Sequence, residues 1–335
     1  MTTQQVNALP AGAEVVKPGP NVLAHSEIYL PKFEKLIEIL DEHERAHWVI
    51  DEIDMRVDTE QWKNGKISEE EKSFIKMILR LFTQADTDVC SAYVQKLLPV
   101  YKNPDCRFML LSFASREITH VRGYRQLNAT LGYDSEEFMS EFLSYKEMKD
   151  KHEFMVEDQD RSTPSGRISY LAKQILMEGV NLFASFAMLL SFSQEGKLPG
   201  MVDVNKWSIA DESYHVKGLT ELFKLEIGEN PKIVNNEFKA SIYETARQVV
   251  ALEDMFIDLC YSVGKTTAVT ADQVKAYIRY VCDYRMKQLG FKPQFGIKEN
   301  PIEWIDLITG NTFGNFFETT VVQYSKASLT GDWKY

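Results

Sequence analysis

Two short segments place a carboxylate and an imidazole three residues apart: Glu117-x-x-His120 and Glu212-x-x-His215. On a helix that spacing puts both side chains on one face, where they can share a metal ion. Two further acids, Asp86 and Glu178, sit where an amphipathic helix should keep its apolar stripe. Asp86 follows Phe82 by four residues and leads on to Val89 and Tyr93, while Glu178 stands between Ile175 and Leu182. A buried carboxylate is costly unless it is paired or bound to metal. Four of them together cannot all stay ionised without cations, and two divalent ions would neutralise the set. Oxygen ligands with two imidazoles suit iron or manganese better than a closed structural zinc site.

Four helices must carry these side chains. The first is expected to start at Ser68, which with Glu71 has the spacing of a capping box. Its apolar row runs Ile75, Ile78, Leu79, Phe82, Val89, Tyr93. A second should follow the Asn103-Pro104 break and run to about Leu131. In it Phe113, Glu117, His120, Tyr124 and Leu127 share one face. Residues 157–167, with Thr163-Pro164-Ser165-Gly166, read as a loop before a third helix from about Ile168 to Phe192. Lys197-Leu198-Pro199-Gly200 closes that region. A fourth helix is expected from about Val204 to Leu225, with Ser208, Glu212, His215, Leu219 and Leu222 on one face. More helical segments follow near 235–262 and 271–289. The expected class is all-α: a four-helix bundle with additional helices. One acid from each of two helices and a Glu-x-x-His pair from each of two others is the di-metal pattern of ferritin-like bundles. A third match, Glu44-x-x-His47, lies beside Asp41-Glu42-His43-Glu44-Arg45 and reads as a solvated charge run.

Composition narrows the remaining classes. The 335 residues are 44% hydrophobic and 26% charged, with a net charge of −11, which argues for a real core and against a broad nucleic-acid surface. The four cysteines form no CxxC pair, so a disulfide framework is disfavoured and a cytoplasmic location is expected. No apolar run approaches the 18 or so residues of a membrane span; the best, Phe183 to Phe192, is short and carries serines. The domain plan is an N-terminal arm over residues 1–25, a helical di-metal domain over 26–318 and a C-terminal tail over 319–335.

Over roughly residues 25–324 the sequence resembles the small, radical-generating subunit of class I ribonucleotide reductase. The segment Ser115-Arg116-Glu117-Ile118-Thr119-His120-Val121-Arg122-Gly123-Tyr124 is similar to that family's Glu-x-x-His-x-x-x-Tyr run. Ala210-Asp211-Glu212-Ser213-Tyr214-His215 is similar to its Asp-Glu-x-x-His run, and Asn315-Phe316-Phe317-Glu318 to the stretch before its mobile tail. Asp86 lies 31 residues before Glu117 and Glu178 lies 34 before Glu212, as in the family. The resemblance implies a dinuclear centre (Fe/Fe, Mn/Mn or Mn/Fe) on Asp86, Glu117, His120, Glu178, Glu212 and His215. The centre generates an oxidising equivalent that is passed to a separate large subunit, where ribonucleotides are reduced to deoxyribonucleotides. Tyr124 corresponds to the radical tyrosine, Trp48 and Asp211 to the radical relay, and Tyr324 to the tail tyrosine that hands the radical across. A homodimer is implied, and an activating flavoprotein is an optional further partner. Trp333 and Tyr335 are candidate anchors of the tail.

Two positions depart from familiar members. Leu182 stands where phenylalanine is common, and Ser208 where a branched apolar residue is common. Those positions help keep a tyrosyl radical dry, so storage on Tyr124 and storage on the metals both stay open. Two other functions share this fold: a ferritin-like di-metal oxidase with no large subunit, and iron storage. Neither needs Trp48, Asp211 or Tyr324.

Overall fold

The computed structural model describes residues 21–26 and 28–309. Among them there is no strand. In chain order the α-helices are α1 (Glu34–Arg45), α2 (Arg56–Lys63), α3 (Glu69–Ser91), α4 (Pro104–Leu131), α5 (Glu136–Ser140), α6 (Lys146–Val156), α7 (Pro164–Leu176), α8 (Phe183–Leu190), α9 (Pro199–Glu229), α10 (Asn236–Val263), α11 (Ala271–Gln288) and α12 (Glu303–Thr309). The N-terminal arm lies mostly outside the described residues. The tail, Tyr324, Trp333, Tyr335 and Asn315-Phe316-Phe317-Glu318 lie wholly outside them. At the described end of the arm Val22 is fully buried, its N–H bonded to Glu229 and its carbonyl to the Asn103 amide.

The central bundle consists of α3, α4, α9 and the α7–α8 rod: α4 packs on α3 and α9, and the rod on α9 and, through α8, on α3. Around it α1 lies on α4 and α9, and α10 packs on α3, α6, α7 and α11. Local signals set several boundaries. Ser68 caps α3 through the expected box: its hydroxyl accepts from Glu71 N at 3.2 Å, and Glu71 Oε2 accepts from Ser68 N at 2.9 Å. Asn103 caps α4 ahead of Pro104, and Gly132 ends that helix in the left-handed region, at φ 84°.

Other boundaries differ from expectation. The third helix starts at Pro164, four residues early, because Thr163 Oγ1 accepts from Gly166 N and Pro164 has no amide to lose. A Cβ on Gly166 would lie 1.8 Å from the Asp160 carbonyl, so only glycine fits that turn. Pro199-Gly200 opens α9 rather than closing the preceding region. Asp58, on α2, accepts from Gly200 N and Met201 N at 2.8 Å each, an N-terminal cap supplied from 142 residues away. Two rods are also interrupted by π-helical turns, Ala92–Leu97 after α3 and Met177–Asn181 between α7 and α8.

Membrane length also needs correction. The helical stretch Pro164–Glu195 is long and apolar enough to cross a membrane, whereas the sequence pointed only to Phe183–Phe192. Gln174, Glu178 and Asn181 are scattered through it and disguise its length. Its apolar window is entirely buried within the protein, as a core helix would be.

Side chains of α4 press on the α9 backbone at Gly218, where a Cβ would lie 2.6 Å from Phe113 Cζ and 2.7 Å from Met109 Sδ. Gly218→Ala is expected to lower stability by about 1–3 kcal/mol through overpacking. Gly228→Ala, later on the same helix with open space around it, is expected to raise stability by about 0.5–1 kcal/mol through helix propensity. Thermal unfolding of the two variants checks the contrast.

Candidate metal centre

Asp86 comes from α3, Glu117 and His120 from α4, Glu178 from the π-helical turn after α7, and Glu212 and His215 from α9. All six are buried, with at most 1% of the surface of any one exposed. They form two overlapping groups, Asp86–Glu117–His120–Glu212 and Glu117–Glu178–Glu212–His215, each with one ligand atom per residue within 4.8 Å of the others. Glu117 and Glu212 belong to both. His215 Nδ1 lies 2.9 Å from Glu117 Oε1 and 3.3 Å from both Glu178 Oε2 and Glu212 Oε2. His120 Nδ1 lies 3.2 Å from Glu117 Oε2 and 3.4 Å from Glu212 Oε1.

Glu178 apart, most of the atoms facing this centre lack hydrogen-bond partners. Both oxygens of Glu117 and of Glu212, Oδ2 of Asp86, Nδ1 of His120 and both ring nitrogens of His215 are buried without one. Buried polar groups are ordinarily satisfied. A cluster of orphaned oxygen and nitrogen ligands aimed at one another fits a pair of divalent cations. Burial pushes the Asp86 carboxyl well above the usual range, and the neighbouring imidazoles do not reverse it. Burial likewise raises Glu178 to about 7 in spite of His215 beside it. The packing alone therefore does not keep Asp86 and Glu178 charged, whereas cations would.

Asp211, one residue before Glu212, ties the centre to Trp48. Trp48 Nε1 donates to Asp211 Oδ2 at 2.7 Å, and His120 Nε2 lies 3.0 Å from the same oxygen. Arg116 donates to Oδ1 at 2.9 Å. Burial opposes the Asp211 charge, but the His120 hydrogen bond and the Arg116 guanidinium outweigh it and hold the carboxyl at about 2. The Trp48 ring is stacked on His120, with centroids 6.0 Å apart.

Tyr124 is fully buried beside Phe82 (4.5 Å between centroids), and its hydroxyl donates to Asn205 Oδ1 at 3.1 Å. Burial, then the nearby Asp86 charge, keeps the phenol protonated well past its ordinary range. Ser208 and Leu182, the two departures, are buried as well, and the Ser208 hydroxyl makes no hydrogen bond of good geometry.

Three residues near the centre escaped the sequence reading. Asn205 is four residues before Ile209 on α9 and carries no motif. Tyr93 reads as one more member of the apolar row, yet its hydroxyl donates to Glu178. His43 was assigned to a solvated run but is fully buried, 4.0 Å from Asp211 and 5.2 Å, ring to ring, from His215. Leu36, Ile39 and His43 recur at helical spacing on the inner face of α1, which was the available signal. Glu44 and His47 are both exposed, as expected of the false match.

Comparison with known proteins gives the family. Residues 26–301 match the model of the ribonucleotide reductase small chain. The chain belongs to the ribonucleotide reductase small-chain family. It is 41% identical over 314 residues to a protein of Invertebrate iridescent virus 3 designated a probable ribonucleoside-diphosphate reductase small subunit, covering 88% of this chain and 83% of that one. It is 26% identical over 294 residues to the ribonucleoside-diphosphate reductase subunit beta of Chlamydia pneumoniae, covering 84% of each. Its fold is similar to that of the dimanganese(II)-NrdF of Streptococcus sanguinis, with a TM-score of 0.71, 17% identity, and coverage of 86% of this chain and all of the other. The fold is therefore the ferritin-like helical bundle of reductase small subunits. The carboxylate–imidazole cluster is consistent with a dinuclear metal centre. Membership of this family of small chains implies a large-subunit partner.

Glu212→Ala and His120→Ala are each expected to abolish assembly of a metal pair, while Glu44→Ala leaves two ions per chain; elemental analysis of purified variants checks this. Binding should also depend on pH. Glu178, with its carboxyl raised to about 7, is protonated below that value, and a cation must displace the proton. Mn2+ affinity is expected to fall between pH 8 and pH 6, by up to about tenfold per pH unit for each proton displaced. Titrations at the two values test it, and identical isotherms would contradict it.

Proposed function

We propose that this chain generates and stores the oxidising equivalent of a class I ribonucleoside-diphosphate reductase and passes it to the large subunit, where ribonucleotides are reduced. Asp86 and His120 would hold one metal ion, Glu178 and His215 the other, and Glu117 and Glu212 both. When bound, the pair supplies a one-electron oxidant by reaction with oxygen or a reduced oxygen species. Fe/Fe, Mn/Mn and Mn/Fe pairs all suit this donor set.

The chain's own residues would carry the rest. Phe82 and the surrounding core exclude water from Tyr124, and Asn205 fixes the direction of its O–H. Tyr124 is the candidate store; the polar Ser208 on the same helix as Asn205 keeps storage on the metals open. Asp211, kept ionised by Arg116, holds the indole N–H of Trp48 and the imidazole of His120 on one oxygen. That shared oxygen is the observation that favours a relay. An acid on a metal-binding histidine is common to metal sites in general; it is the second bond of the same oxygen, to the Trp48 indole, that favours a relay over a di-metal oxidase acting alone or a storage protein.

The remaining steps fall to segments outside the described residues. Residues 319–335 would dock on the large subunit, with Trp333 and Tyr335 as anchors and Tyr324 as the transfer residue. Residues 1–25 would form an arm, and 26–318 the di-metal domain. A flavoprotein would serve activation if manganese is the working metal, and the location would be cytoplasmic.

The test is reconstitution with the large subunit from the same source, scored as deoxynucleotide formed. Tyr324→Phe is expected to abolish turnover with the metal content unchanged. Asp211→Asn is expected to lower it about 10–100-fold, the usual effect of losing such an outer partner. No turnover with a matched large subunit, or full turnover in both variants, would overturn the reading.

A further inference from the structure

The two halves of the metal centre are not built alike. Glu117 and Glu212 have no hydrogen-bond donor on either oxygen from outside the centre, where only the two imidazoles face them. Glu178 has one to each. Tyr93 donates its hydroxyl to Oε2 at 2.5 Å, and Gln174 Nε2 donates to Oε1 at 2.9 Å. Both donors are buried.

The backbone around Glu178 is held as well. Glu178 lies in the π-helical turn Met177–Asn181, where the regular ladder of the rod is broken. Arg285 Nε donates to the Gly179 carbonyl at 3.2 Å, and Lys151 Nζ donates to the Asn181 carbonyl at 2.9 Å. Two cationic side chains from α11 and α6 therefore grip the turn from outside, while Tyr93 and Gln174 grip the carboxylate from inside.

A carboxylate with one donor on each oxygen has a fixed plane. To rotate, Glu178 must release a phenol or an amide that is itself buried, at the cost of an unsatisfied donor. Glu117 and Glu212 bear no such restraint. Orientation of a ligating group by outer hydrogen bonds is a recognised means of tuning affinity at one position.

We propose that Tyr93 and Gln174 are positioning residues that lock the Glu178 carboxylate toward His215, and so set the affinity of the Glu178/His215 half of the centre independently of the Asp86/His120 half. Tyr93 sits opposite Tyr124 in role: Tyr124 lies by Asp86 and is bonded to Asn205, whereas Tyr93 is bonded to the ligand set itself. The inference rests on the di-metal reading above.

Titration of the full-length protein with Mn2+ alone, following free Mn2+ by electron paramagnetic resonance, tests it without any turnover. Wild type should take up two ions per chain. Tyr93→Phe removes one oxygen and no carbon, and should leave one ion at wild-type affinity while weakening the other about 10–100-fold. Gln174→Leu should weaken the same single ion. In a Glu178→Ala background, which retains only the Asp86/His120 half, neither substitution should change binding. Equal weakening of both ions, no weakening in either variant, or an effect that persists in the Glu178→Ala background would overturn the proposal. If wild type fails to take up two ions, it is the di-metal reading that fails.

Discussion

Everything in this molecule answers to one electrostatic demand: four carboxylates and two imidazoles share an interior from which water is excluded. The cost of that arrangement is large unless positive charge arrives with it. Elsewhere in the core the same problem is solved within the chain. Lys151 is paired with Glu253, Arg167 with Glu226, and Arg116 with Asp211. At the centre the acids instead face one another and two imidazoles, with both oxygens of Glu117 and of Glu212 unused. Among the described residues buried Asp58 and Asp283 have no cation either, but backbone amides satisfy them; clustered acids with neither an internal cation nor backbone donors are what mark a place for metal.

The bundle serves this demand by bringing four backbones close enough for short side chains to meet. At Gly218 the absence of a side chain lets Phe113 lie against α9, three residues beyond His215 and one turn before Glu117. Phe113 then packs on the His215 ring, with centroids 4.6 Å apart. Outer residues repeat the logic at a second distance. Asp211 orients His120 and engages Trp48, and Arg116 keeps Asp211 charged. The directions of His120 and Glu178 are thus determined by neighbours that do not themselves face the centre, Asp211 for the one and Tyr93 with Gln174 for the other.

Much of this was legible in the sequence because it depends on helical period. The Glu-x-x-His pairs, the misplaced acids Asp86 and Glu178, the box at Ser68 and the stop at Gly132 are all local signals. What was not legible depends on contacts distant in the chain. Pro199-Gly200 looked like a break because its cap comes from Asp58. Tyr93 looked apolar because nothing local says that its hydroxyl meets Glu178. His43 was hidden by charged neighbours that face solvent while it faces inward. The π-helical turns have no compositional mark, yet one carries Tyr93 and the other Glu178.

The buried rod from Pro164 to Glu195 has a consequence for how the polypeptide is made. It is greasy enough to pass for a bilayer segment, and two of the helices that cover it, α10 and α11, end only at Val263 and Gln288. At a synthesis rate of about 5–20 residues per second, the ribosome exposes it for roughly 5–20 seconds before those covers exist. During that interval the nascent chain presents a sticky surface, and its safe passage falls to chaperones or to early docking on α3.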